Sequence, residues 1–151
     1  YLTGRQYLDL ISSFYDISKA AKEERIANLV YMLQMEDVIH KPVSAYSRGM
    51  KQKLLIMAAI IHEPNLIVMD EPFTGLDPST VEQLIKVINA ERERGAGILF
   101  SSHMLDIVTR ISDKVVVIKN GNILIDDEIA NVNHSGCLQK LLVGESNESA
   151  E

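Results

Sequence analysis

At 151 residues and 46% hydrophobic, the chain has the composition of one globular domain or part of one, with enough apolar residues for a sizeable core. A formal charge of −6 weighs against an extended nucleic-acid surface, and no apolar run approaches the roughly 20 residues of a membrane-spanning helix. A single cysteine, Cys137, excludes an internal disulfide and fits a reducing compartment.

Thr3-Gly4-Arg5-Gln6 predicts a helix N-cap with Gln three residues on, followed by an apolar face of Tyr7, Leu8, Leu10, Ile11, Phe14 and Tyr15. Ser18 predicts the cap of a second helix over 19–34, where Ile26, Leu29, Val30 and Leu33 recur at helical spacing. Six of the eight aromatics fall at or before Tyr46. Most are expected in the core, and an excess on one surface would mark a partner site. Lys41-Pro42 breaks the pattern, and Ser47 then caps a predicted helix over 48–61 whose buried side is Leu54, Leu55, Ala58, Ala59 and Ile61. Arg48, Lys51 and Lys53, and again Arg92 and Arg94, gather basic charge on predicted helices, where a solvated face is the simpler account.

The second half has a different rhythm. The uncharged run Leu66–Met69 predicts a parallel strand buried on both faces, with Asp70-Glu71-Pro72 where the chain leaves the sheet. Asp77-Pro78 opens a helix with Val81, Leu84, Ile85 and Ile88 inward, and Gly95 ends it. A strand over 98–101, a short helix over 104–111 and a hairpin through Asn120-Gly121 complete the pattern. Strands alternating with helices imply a parallel sheet with the hairpin as an antiparallel appendage. The tail over 144–151 is acidic and almost without aliphatic residues, and is expected to be disordered.

Four polar features fall at element ends, where ligands of open α/β sheets bind. Asp70 could hold a cation and Glu71 face what the cation binds, or the pair could be strand-end acids capping a neighbouring helix. His103, after the 98–101 strand, could donate to a phosphate oxygen or simply cap a helix or stand exposed. Ser47-Arg48-Gly49 at a helix start could attract an anion or be an ordinary Ser cap. Asp77 suits an N-cap by itself.

Tyr46-Ser47-Arg48-Gly49-Met50-Lys51-Gln52, Leu66 to Pro72, Gly75-Leu76-Asp77 and Ser101-Ser102-His103 stand in the order of the ABC-type ATPase domain. Over about residues 1–130 the chain resembles the nucleotide-binding subunit of a bacterial ABC transporter. The resemblance implies an α/β fold: a partial P-loop NTPase-like ATPase core with a mainly parallel sheet, preceded by a helical subdomain. It implies three segments: 1–61 helical with the signature helix, 62–130 the second half of the ATPase core, and 131–151 a C-terminal extension.

By position, Asp70 matches the Walker B aspartate that holds Mg²⁺, and Glu71 the catalytic glutamate that polarises water. Ser47 and Gly49, with Arg48 between them, match the signature motif that meets ATP bound by the opposite subunit. Asp77 matches the D-loop aspartate and His103 the switch histidine at the γ-phosphate. The implied cofactors are ATP and Mg²⁺. The implied partners are a second ATP-binding subunit and a transmembrane permease subunit, with no nucleic acid, and the implied location is the cytoplasmic face of a membrane.

Two departures qualify the match. Tyr46, Arg48 and Met50 replace three residues of the usual Leu-Ser-Gly-Gly-Gln signature, a variant that resembles exporter subunits. None of the eight glycines is followed by Lys, so the Gly-Lys-Ser/Thr phosphate cradle does not occur in this sequence. With Tyr1 in place of Met, the chain reads as a piece of a longer exporter ATPase starting after the Q-loop, expected to be inactive by itself. A soluble ABC-type ATPase acting on nucleic acid or ribosomes, or a truncated interaction module, are the alternatives.

Overall fold

The computed structural model describes residues 1–135. They divide into two compact units, Tyr1–Ser102 and a second that begins at His103. The first contains α1 (Gly4–Ser12), α2 (Lys19–Met32), a 3₁₀ turn (Val43–Ala45), α3 (Arg48–Ile60), β1 (Leu66–Met69), α4 (Pro78–Glu93) and β2 (Gly97–Phe100).

Thr3 caps α1 as its sequence predicts. Its hydroxyl accepts from the Gln6 amide at 3.2 Å while the Gln6 side chain accepts from the Thr3 amide at 2.9 Å. The helix stops at Ser12, so Phe14 and Tyr15 lie beyond it and are exposed, as is Leu10; Leu8 is buried. The expectation that most early aromatics are core does not hold. Tyr46 is buried, whereas Tyr1, Phe14, Tyr15 and Tyr31 are exposed. The reason is geometric: α1 has only nine residues and lies against α3 by one side, so a six-residue apolar face cannot all be covered.

In α2, Ile26, Leu29 and Val30 are buried, with Leu33 behind them as the C-cap. The helix ends two residues earlier than predicted because Gln34 turns the chain with φ +53°. Ser47 caps α3 through the Met50 amide at 3.3 Å. Leu54, Ile56, Met57, Ala58, Ile60 and Ile61 form its buried apolar face, but Leu55 and Ala59 are exposed, against expectation. That face is centred near Met57, and positions 55 and 59, each two residues from it, fall on nearly the opposite side of the helix.

β1 and β2 pair in parallel, Leu66 beside Gly97 through Met69 beside Phe100. On one face Ile67 is buried; α4, with Leu84 and Val87 inside, contacts β2 and α2. The other face is open. Leu66, Val68 and Leu99 are each 63–66% exposed, so the strand predicted to be buried on both faces is covered on one. Period-2 alternation in a two-stranded sheet leaves alternate residues outside when only one helical layer is present.

The second unit holds α5 (Leu105–Ile111), β3 (Lys114–Lys119), β4 (Asn122–Glu128) and α6 (Ile129–Ser135). β3 and β4 are antiparallel, with a register shift between Val117 and Ile118. Asn120 and Gly121, at φ +52° and +76°, make the predicted tight turn. Among the described residues of this unit, Ile107, Val108, Ile111, Ile129 and Val132 are buried. The expected disorder of 144–151, and most of the extension assigned to 131–151, lie outside the described residues.

Candidate functional site

The parallel register sets the site. With Met69 beside Phe100, the next residues on each strand, Asp70 and Ser101, emerge together at the carboxyl edge. The Ser101 amide donates to the Met69 carbonyl at 3.0 Å. The Ser101 hydroxyl donates to Asp70 Oδ1 and accepts from the Glu71 amide at 2.9 Å. One serine thus fixes the carboxylate of the first acid and the backbone of the second.

Glu71 sits at φ +45°, a left-handed conformation that costs a non-glycine residue about 1–2 kcal/mol. Such outliers persist where surrounding contacts over-determine them. Here Thr74 is one clamp: its hydroxyl donates to Glu71 Oε2 at 2.7 Å and its amide to the Glu71 carbonyl at 3.2 Å. Pro72 and Phe73 are another. Both are fully buried, and Phe73 meets Phe100 edge-on at 5.7 Å. Asp70 is exposed and Glu71 half-buried, so the acid pair faces outward from an anchored base.

The same loop returns to α4 through Gly75, Leu76 and Asp77. Gly75 takes φ +71°, and a methyl built there would lie 2.7 Å from Arg48 Nη1. A methyl on Gly49 would lie 3.5 Å from Thr80 Oγ1 and 3.9 Å from Leu76 Cδ2. Asp77 caps α4: Oδ1 accepts from the Thr80 amide at 3.0 Å and Oδ2 from its hydroxyl at 2.7 Å. The Thr80 hydroxyl and amide, in that order, hold the Asp77 carboxyl below its usual range. Lys53, one turn along α3 from Gly49, is buried and donates to the Leu33 carbonyl at 2.9 Å. Burial pushes its pKa down, and the Asp77 charge pulls it partly back.

Of the residues predicted from sequence, Asp70 and Glu71 stand together at the sheet edge, and Ser47, Arg48, Gly49 and Asp77 gather where the start of α3 meets the loop. One seven-residue stretch, 71–77, links the two groups. His103 follows β2 by three positions, is exposed, and opens the second unit ahead of α5. Thr74, Thr80 and the bridging of both acids by Ser101 were not foreseen. Threonines three residues after Glu71 and Asp77 were the available signal for the first two, and the parallel pairing of the strands for the third. Nothing in the sequence pointed to Arg48 lying on Gly75.

The family profile described as "AAA domain, putative AbiEii toxin, Type IV TA system" matches residues 7–108. A Bacillus subtilis protein described as an uncharacterized ABC transporter ATP-binding protein, YthP, is 35% identical over 131 residues, covering 87% of this chain and 56% of the relative. The chain belongs to the AAA-domain family that this profile describes, and it is similar to proteins described as ABC transporter ATP-binding proteins. A solved structure described as the ATP binding subunit of an ABC transporter superposes with TM-score 0.80 at 34% identity, over 96% of this chain and 59% of that one. CbiO1 of Clostridium perfringens, described as part of the ABC transporter complex cbiONQ, superposes with TM-score 0.74 at 24% identity, covering 95% of this chain and 58% of that one, a likeness of fold. The fold is thus that of a partial ABC ATPase core with its helical subdomain. The chain spans somewhat over half the length of these relatives.

Proposed function

We propose that this chain carries the hydrolytic and signature-motif part of an ATPase subunit that drives an ABC transporter, of exporter type. The observation that carries the reading is the acid pair fastened at the sheet's carboxyl edge, where Ser101 holds Asp70 by its carboxylate and Glu71 by its backbone. In role, 1–61 is the helical subdomain, 62–130 the ATPase half-core and 131–151 an extension.

Asp70 suits magnesium. No three His, Cys, Asp or Glu residues converge on a metal site among the described residues, and Mg²⁺ held with substrate phosphates needs only one or two carboxylates. Bound there, magnesium would supply neutralisation of phosphate charge. Glu71, its carboxylate steadied by Thr74, is the group that orients the attacking water and draws its proton. Ser47 and Gly49, with Arg48 between them, present the N-terminus of α3 to the phosphates of ATP held by a second subunit. Asp77 lines the same face and His103 serves as the γ-phosphate sensor.

The partners are a second ATP-binding subunit and a membrane permease subunit. In support, CbiO1 is described as part of an ABC transporter complex, and no helix among the described residues is long and apolar enough to cross a membrane. The location is the cytoplasmic face of that membrane.

No glycine in the 151 residues precedes a lysine, so the phosphate cradle must come from elsewhere. Titration calorimetry of this chain with MgATP should show no tight stoichiometric binding, whereas a protein of the relatives' length carrying this sequence should turn ATP over. Tight binding by the chain itself, or no turnover by the longer protein, would overturn the reading.

A further inference from the structure

The departure at position 48 has a structural counterpart. A glycine there would leave Gly75 uncovered; Arg48 instead lays its guanidinium where a Gly75 side chain would be, with Nη1 2.7 Å and Cζ 2.8 Å from a methyl built at that position. At φ +71° a side chain on residue 75 would be strained, and glycine leaves the loop bare at this point. Two further residues of α3 face the same segment. Gly49 lies against Thr80 and Leu76, and buried Lys53 feels the charge of Asp77. Thr80 in turn binds both Asp77 carboxylate oxygens. The start of α3 and the 75–80 segment are therefore in contact along several residues, and Arg48 is the one that covers the glycine.

We infer that Arg48 is a positioning residue: lying on Gly75, it ties the loop that carries Asp77 to the start of α3, so that Ser47, Gly49 and Asp77 are presented as one face. This inference deepens the proposed function and takes its catalytic consequence from it. A planar guanidinium covers a peptide turn in a way that an ammonium does not. Shape rather than charge is the operative property.

Amide hydrogen exchange on the 151-residue chain tests the tie without any nucleotide, so its failure is separable from failure of the ATPase reading. Arg48→Ala should speed exchange of the Gly75, Leu76 and Asp77 amides roughly three- to tenfold while leaving Leu29 and Val30 in α2 unchanged. Arg48→Lys, which keeps the charge, should fail to restore protection. Gly75→Ala should displace the guanidinium and speed the same amides, and adding Arg48→Ala to it should change little more, because both remove one contact. Unchanged exchange in Arg48→Ala, full rescue by Lys, or fully additive effects would each overturn the tie. In a protein of the relatives' length, Arg48→Ala should lower kcat for ATP at unchanged KM. A raised KM at unchanged kcat would instead make Arg48 a direct nucleotide contact.

Discussion

At the scale of single residues, Ser101 and Thr74 hold the acids in place. Ser101→Ala removes a hydrogen bond to Asp70 and leaves the Glu71 amide without that acceptor, so the unfolding free energy should fall by about 0.5–1.5 kcal/mol per bond, read as a lower urea midpoint of the chain. An unchanged midpoint would mean the serine is incidental. Asp77 makes a prediction in pH. Its folded pKa is depressed by the Thr80 hydroxyl and amide, so its contribution is fully present above the unfolded carboxylate value of about 3.9 and is lost as pH falls through the lower folded value. The stability gap between the chain and its Asp77→Asn variant should therefore be steady from neutral pH down to about 5, then close below the unfolded value. A gap that widens on acidification would contradict the capping geometry. What the sequence disclosed at this scale was residue type and order. Asp70, Glu71 and Asp77 were legible because short polar groups at strand and helix ends have few purposes. Ser101's double bond was not legible, because it depends on which strands are neighbours.

At the scale of elements, helix caps follow from the local sequence and helix faces do not. Thr3, Ser18, Ser47 and Asp77 all cap as expected, each accepting from the amide three residues on, since this chemistry is local. Faces depend on what lies opposite. On α3 the true stripe passes through Met57, fully buried, and misses Leu55, which is 54% exposed. Met57→Ala should accordingly cost about 2–5 kcal/mol. Leu55→Glu should stay within about 0.5 kcal/mol. Thermal or urea unfolding of both variants checks the face directly, and the reverse ranking would place α3 about a half-turn from where it stands.

At the scale of the whole molecule, the open strand face has consequences. Leu66, Val68 and Leu99 form an apolar patch that the helices on the opposite side cannot reach. Two strands with one helical layer expose alternate residues, and uncapped apolar strands invite association. Light scattering of the isolated chain should show concentration-dependent self-association, reduced in a Val68→Lys variant; a stable monomer at high concentration would count against this. The same patch explains why the sequence misled on burial. An apolar run such as Leu66–Met69 has the composition of a strand with two covered faces, and the described residues supply cover for one. The family was legible for the opposite reason: its motifs are short, local and ordered, and 151 residues hold four of them.

In the proposed function the acid pair on the sheet edge is hydrolytic. The most direct measurement is ATP binding and turnover by a protein of the relatives' length with Glu71→Gln, which preserves the side chain's shape and its bond from Thr74 while removing the charge. Binding should persist while turnover falls by about 10²–10⁴-fold, the range of a lost general base. Undiminished turnover would remove Glu71 from the reaction and contradict the account.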